Sequence, residues 1–290
     1  MPLLRTEKLT HIYSVGTPFE HVAVRDIDFE VEKGEYLGII GHTGSGKSTF
    51  IQHLNGLLKP TSGRIYYDGL DIHDSKEQTR KIRFKVGLVF QYPEYQLFES
   101  TVFDDIAFGP KNMGLSEQEV RERVVEAAGF ALLDESLLKK SPFDLSGGQK
   151  RRAAIAGVIA MRPEALILDE PTAGLDPRGR AEIIANIMSY KRAHGATVIM
   201  VTHSMEEIAR NVDRIVIFEE GSVVMNGTPA SVFAESERLI AMGLSAPKAS
   251  LVAQRLNAMG LPIRRDIYTI PQLRNALREL HETRGGGGSA

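Results

Sequence analysis

The sequence predicts an α/β fold: a doubly wound parallel sheet, interrupted by a helical insertion and followed by a small helical extension. Three observations carry this. Apolar runs at residues 86–90, 165–168, 197–201 and 214–218 are separated by stretches of helical periodicity, the pattern of a buried parallel sheet covered on both faces. A further run at 36–40 ends in a glycine-rich loop, which opens a periodic stretch at 50–58 that stops near Pro60; this reads as strand, glycine loop, helix. Upstream, residues 26–32 alternate acidic and apolar side chains, with Ile27, Phe29 and Val31 between carboxylates, so the chain begins with a half-buried strand.

The remaining elements follow in order. Between 91 and 161 the character changes to helix: Ser116 and Glu119 have the spacing of a helix start, and Val120, Val124 and Val125 continue at helical intervals. After Gly227, Thr228 and Pro229 the pattern is one of short amphipathic helices, including residues 249–259 and 271–280. Residues 285–289, four glycines and a serine, resemble a flexible linker that takes no part in the fold.

Length and composition bound the function. A chain of 290 residues accommodates one large α/β domain with an appendage. With 42% hydrophobic and 25% charged residues it has the composition of a folded protein. Lys and Arg number 35 against 37 Asp and Glu, so no global field holds a polyanion and nucleic acid is not an expected partner. The absence of cysteine excludes a disulfide framework and thiolate chemistry and fits a reducing compartment. No stretch approaches the roughly 18 apolar residues of a spanning helix, and the N-terminus lacks the apolar region of a signal peptide. The expectation is a chain that does not itself cross a membrane.

Gly41, His42, Thr43, Gly44, Ser45, Gly46, Lys47, Ser48 and Thr49 form the glycine loop. Phosphate oxygens need converging donors, and a glycine-rich turn into a helix N-terminus supplies backbone N–H groups and the positive end of the helix dipole. Lys47 would reach the β- and γ-phosphates, Ser48 would bind Mg2+, and Thr49 with the loop amides would hold the α/β region. The alternative is an ordinary strand–helix turn. The four fixed positions arise by chance in about one chain in a hundred of this length, and the strand–helix context makes coincidence rarer.

A second glycine motif, Leu145, Ser146, Gly147, Gly148 and Gln149, precedes a helical pattern through Arg152, Ile155, Val158 and Ile159. Its amides lie at another helix N-terminus, a second anion site on one chain. All five residues together arise by chance in only about a few chains in ten thousand.

These residues resemble the signature motif of ATP-binding cassette (ABC) ATPases, and the resemblance covers about residues 3–228. It implies a P-loop NTPase cassette with a RecA-like parallel-sheet core, an N-terminal antiparallel β subdomain and a helical subdomain at about 92–162. Residues 229–284 form the helical C-terminal extension and 285–290 the tail. The family's other motifs carry over residue by residue. Residues 165–170 resemble the Walker B strand, with Asp169 in the Mg2+ shell and Glu170 activating the attacking water. Gln91 matches the Q-loop glutamine, a ligand toward Mg2+ and the water; Gly174, Leu175 and Asp176 match the D-loop, and His203 matches the switch histidine at the γ-phosphate. Taken alone, His203 would more often be structural and Asp169 with Glu170 a solvated turn; their joint occurrence in order outweighs that. Tyr13 stands near the family's adenine-stacking aromatic, although a strand-end tyrosine is common and Phe19 is close by. In the family two cassettes face head to tail, so Ser146, Gly147, Gly148 and Gln149 would close on the partner's ATP.

The subclass is narrowed by Gln91-Tyr92-Pro93-Glu94-Tyr95-Gln96-Leu97-Phe98, by Asp105-Ile106-Ala107-Phe108-Gly109-Pro110, and by Ser141-Pro142-Phe143 and Lys150-Arg151-Arg152 flanking the signature. These resemble the ATPase subunits of energy-coupling factor transporters, importers of vitamins and transition-metal ions, and residues 11–18 are similar to the A-prime, CbiO-like member. The resemblance implies a second ABC ATPase as partner, in a heterodimer by expectation with a homodimer as the alternative. It also implies a transmembrane coupling protein (T component) docked near residues 92–98, a separate substrate-capture membrane protein (S component), and a peripheral position on the cytoplasmic face of the cell membrane. The rival class is a soluble cassette ATPase acting on nucleic acid or ribosomes. Against it stand one compact cassette, no long coiled coil between the two glycine motifs and no basic surplus. A regulatory module without turnover is disfavoured by the set Glu170, Gln91 and His203.

Overall fold

The computed structural model describes residues 1–285. Strand β1 (Leu4–Tyr13) pairs antiparallel with β2 (His21–Val31). As its alternation predicts, β2 buries Ile27, Phe29 and Val31 and exposes Asp28 and Glu30. It starts five residues earlier than the alternation, because Asp26, at a left-handed φ of 46°, sits in a bulge that shifts the register between Leu9 and His11.

The next strand, β3 (Tyr36–Gly41), leads through the glycine loop into α1 (Lys47–Leu54). The predicted helix at 50–58 is displaced toward the loop. It begins at Lys47, and it closes early because Gly56 turns at a left-handed φ of 70° while the N–H of Leu57 reaches back to the carbonyl of Gln52 at 2.9 Å. Two short strands, β4 (Ser62–Tyr67) and β5 (Leu70–Asp71), complete a four-stranded sheet in the order β2-β1-β4-β5. Helix α2 (Lys76–Lys85) then delivers the chain to β6 (Val86–Val89).

The insertion contains α3 (Val102–Asn112), α4 (Glu117–Phe130) and α5 (Gly147–Ile159). Helix α4 starts at the predicted Ser116 with a reciprocal cap: the Ser116 N–H donates to Glu119 Oε2 at 2.9 Å, and the Glu119 N–H to Ser116 Oγ at 3.4 Å. Beyond it run β7 (Ala165–Asp169), α6 (Pro177–His194), β8 (Thr197–Val201), α7 (Met205–Asn211), β9 (Arg214–Glu219) and β10 (Ser222–Gly227). The second sheet has the order β10-β9-β3-β8-β7-β6. Its neighbours run parallel except β10, an antiparallel edge strand returning on β9 that the sequence pattern did not reveal. Helices α8 (Pro229–Ala234), α9 (Ser236–Ala241), α10 (Lys248–Ala258) and α11 (Ile270–Gly285) form the extension. The rest of the glycine-serine tail, residues 286–290, lies outside the described residues. No described helix is long and apolar enough to cross a membrane.

The six-stranded sheet separates two cores. On one face Leu37, Ile39, Ile167, Ile199, Val216 and Phe218 pack with Phe50, Ile51 and Leu54 of α1 and with the four-stranded sheet. On the other, Tyr36, Ile40, Leu166, Leu168 and Val198 pack with the insertion and with α6 and α7. Helix α1 therefore lies between two sheets, which fixes the loop that precedes it. Phe50 is fully buried, with ring centroids 5.0 Å from both Phe29 and Phe218. Phe50→Ala is expected to cost about 3–5 kcal/mol in urea unfolding, as truncation of a buried aromatic does; a loss under about 1 kcal/mol would mean that α1 is not a keystone of this core.

Candidate active site

The site is built at the carboxyl edge of the parallel sheet, where open α/β sheets bind ligands. Register brings it together: Ile39 of β3 pairs with Val201 of β8, which in turn pairs with Asp169 of β7. The segments that leave these strands, with Gly41, Glu170 and His203, consequently emerge side by side.

Two glycines in the loop admit no side chain. A Cβ on Gly41 would lie 2.4 Å from the Phe218 carbonyl oxygen, and one on Gly46, at φ 97°, would lie 2.3 Å from that of Ala23. Gly46 is also the N-cap of α1, and it has no side chain with which to cap it. Helices α2, α3, α4, α5, α6, α7 and α8 all start at a Ser, Thr or Asp whose oxygen accepts a backbone N–H. Helix α1 has no such cap, nor have α9 and α10; at the end of the glycine loop, uncapped first amides can receive an anion.

Lys47 is buried, and its Nζ donates to the carbonyls of Gly41 at 2.6 Å and His42 at 2.7 Å. Burial lowers its pKa, against the opposing pull of Asp169 and Glu170. Ser48 Oγ donates to Asp169 Oδ2 at 2.9 Å. The carboxyl of Asp169 is pushed upward, chiefly by burial; the Ser48 bond opposes this and Glu170 adds to it. Glu170, in a left-handed backbone conformation of φ 49°, stands between two of its predicted companions. His203 Nε2 lies 2.6 Å from its Oε1, and Gln91 Nε2 donates to its Oε2 at 3.3 Å. Tyr13, 39% exposed, meets Thr49 Oγ1 through its hydroxyl at 3.3 Å.

The signature residues stand apart from this group. Ser146 caps α5 and exchanges bonds with Gln149, while Gly147 and Gly148 face open space. The adjoining cleft is lined by Gly148, Arg151, Gly174 and Asp176, with no residue of the glycine loop, and Asp176 itself caps α6 through Gly179. Several residues escaped the sequence reading. Arg151 holds Glu94 with Nε at 3.1 Å and Nη2 at 2.9 Å and also donates to the Ala173 carbonyl, joining α5 to the segments after Gln91 and after Glu170. Half-buried Glu207 accepts from Thr172 and Thr202. His42 meets the Met242 carbonyl of the extension at 2.6 Å. Arg151 and Glu94 lie within the stretches 150–152 and 91–98, but their pairing across 57 positions leaves no local signal.

Because Asp169 has a raised folded pKa, its contribution to stability is favourable below the ordinary carboxylate range and is lost as pH rises through the folded value. Ionisation of the buried carboxyl above that value destabilises the fold. Asp169→Asn is therefore expected to raise Tm without nucleotide by about 2–4 °C, the shift for about 1 kcal/mol at this size, while nucleotide turnover is lost. A lower Tm at pH 7, with the difference from the parent widening at higher pH, would contradict the assignment.

Known proteins share this fold and much of this sequence. The family model described as ABC transporter matches residues 24–173. The energy-coupling factor transporter ATP-binding protein EcfA2 of Caldanaerobacter subterraneus subsp. tengcongensis is 54% identical over 285 residues, which is 98% of this chain and 99% of that protein. EcfA2 of Clostridium perfringens is 54% identical over 278 residues, 96% of this chain and 98% of that one. Among solved structures, cbiO1 from Clostridium perfringens, part of the ABC transporter complex cbiONQ, superposes with a TM-score of 0.74 at 40% identity, covering 89% of this chain and 98% of its own. A dimeric ATP-binding cassette in a post-hydrolysis state with ADP and Pi gives 0.71 at 29% identity, covering 78% and 98%. The chain belongs to the ABC transporter family, among the energy-coupling factor ATP-binding proteins, and is an ABC-type ATPase.

Proposed function

We propose that this chain is the ATP-binding and ATP-hydrolysing subunit of an energy-coupling factor importer, peripheral to the cytoplasmic face of the cell membrane, powering uptake of a vitamin or transition-metal ion. The observation that carries the chemistry is Glu170, held by His203 and Gln91 beside the Ser48–Asp169 pair. Mg2+ is commonly bound by one or two carboxylates together with substrate phosphates and water. Ser48 and Asp169, with Gln91 adjacent, fit that donor set. When bound, the ion supplies charge neutralisation at the β- and γ-phosphate oxygens.

The chain's own residues do the rest. The open amides of α1 and the ammonium of Lys47 receive the phosphates. Glu170 takes a proton from the attacking water, and His203, hydrogen-bonded to it, keeps the carboxylate aimed and lies ready for the γ-phosphate. Residues 146–149 face a second ATPase subunit, whose nucleotide they cover when the pair closes. Residues 3–228 act as the cassette, with 92–162 as the helical subdomain that receives the membrane partner and 229–284 as the extension.

Docking is supported by an aromatic surface on the helical subdomain: Tyr92, Tyr95, Phe98 and Phe108 are exposed, Tyr95 to 85%. Glu94 does not belong to that surface, since it turns inward to Arg151. The partner is a transmembrane coupling protein, and the cargo is chosen by a separate capture protein.

Glu170→Gln is expected to retain ATP binding and lose about 10²–10⁴ in turnover, the range for a positioned general base, measured by phosphate release from the assembled transporter. Near-normal hydrolysis removes Glu170 from the role. Tyr95→Ser with Phe98→Ser is expected to abolish co-purification of the membrane subunits while leaving ATP binding intact. Undiminished co-purification moves the docking surface elsewhere.

A further inference from the structure

A closed circuit of four contacts joins β1 to α1. It starts at the carbonyl oxygen of Thr49, 2.7 Å from His53 Nδ1. His53 Nε2 lies 3.2 Å from His11 Nδ1. The His11 ring stands edge-on to Tyr13, centroids 4.5 Å apart at 77°, and the Tyr13 hydroxyl returns to Thr49 Oγ1 at 3.3 Å.

The proton positions follow from the chemistry of the partners. A carbonyl oxygen only accepts, so His53 Nδ1 carries the hydrogen. His53 is fully buried, and burial lowers its pKa to about 4, so its ring is neutral at physiological pH and Nε2 presents a lone pair. His11 Nδ1 must then donate to it. One backbone carbonyl in the first turns of α1 thereby sets the tautomers of two imidazoles, and the second of them fixes the ring at the strand end.

We propose that His11 and His53 are positioning residues for the nucleotide, holding the Tyr13 ring as a preset platform for a planar base, in fixed register with the phosphate loop. The inference rests on the reading of Tyr13 as the base-stacking aromatic. Neighbours on one side chain each constrain a different degree of freedom: the His11 edge limits rotation of the tyrosine ring, and Thr49 limits the reach of its hydroxyl. A side chain ordered before the ligand arrives loses less entropy on binding, and base–aromatic stacking tolerates any base because each has a π-face. The circuit therefore contributes to the affinity for the base and leaves the affinity for the phosphates untouched.

Titration of the purified full-length chain with ATP and, separately, with inorganic tripolyphosphate tests this, because tripolyphosphate has no base. Tyr13→Ala is expected to weaken ATP about tenfold or more and to leave tripolyphosphate unchanged. His11→Ala, and His53→Asn, which keeps a donor for the Thr49 carbonyl but is too short to place an acceptor where Nε2 meets His11, are each expected to weaken ATP about three- to tenfold with tripolyphosphate unchanged. Neither should weaken ATP further in the Tyr13→Ala background, the non-additivity of residues acting through one group. If Tyr13→Ala leaves ATP affinity intact, the base-platform reading fails and the proposal fails with it. If Tyr13→Ala acts as expected but His11→Ala has no effect, or adds fully to it, the platform stands and the positioning role is overturned. Equal losses for ATP and tripolyphosphate in His11→Ala also overturn it. His11 is only half-buried, so His11→Ala decides the matter even where His53→Asn does not fold.

Discussion

The register of three parallel strands is the constraint on which this molecule depends. Pairing of Ile39 with Val201, and of Val201 with Asp169, aligns the carboxyl ends of β3, β8 and β7. Everything chemical in the chain is a consequence of what comes next along each strand: the phosphate loop after β3, Glu170 after β7, His203 after β8. A slip of one residue in such a ladder would exchange the faces of every side chain, placing Leu37 and Ile39 against the wrong core and carrying Asp169 away from Ser48. The two apolar cores, one on each face of the sheet, hold the register, so packing far from the glycine loop is also what positions Glu170.

Much of this could be read from the residues because its causes are local. A glycine loop entering a helix, a serine capping box and an apolar run ending in two carboxylates each state their chemistry within a few positions. The same holds for the four main strand runs, found within a residue of where they were expected. What was hidden depended on distance. The early end of α1 at Leu54 follows from the turn at Gly56, which an apolar count through residue 58 cannot see. The bulge at Asp26 ends the alternation there and so hides the five residues of β2 that precede it. The edge strand β10 follows a tight turn and carries a mixed burial pattern. Arg151 with Glu94, His42 with Met242 and the His11–His53 pair join positions 57, 200 and 42 apart, and no periodicity reports such meetings.

Family resemblance and physical reading supplied different parts of the functional conclusion. Composition excluded a strong polyanion binder but could not separate a transport motor from a soluble cassette; the motif residues at 91–98 and around the signature made that separation, and the relatives agree with it. The structure adds an energetic reason for the division of labour along the chain. Asp169 is buried at a cost to stability and Glu170 is strained at a left-handed φ, whereas Ser146 and Gln149, which face outward, satisfy one another within their own turn.

The uncapped start of α1 has a thermodynamic meaning as well as a geometric one. Seven other helices are finished by their own side chains; in the proposed function this one is finished by a nucleotide phosphate, which would place part of the folding free energy of the cassette in the surrounding solution. Any ligand bound only by the folded state adds RT ln(1 + [L]/Kd), about 2.7 kcal/mol at a hundredfold excess over Kd. On that reading the stability of the folded subunit rises with the concentration of any nucleotide whose phosphates the loop receives, over and above the packing that already holds α1 between the two sheets.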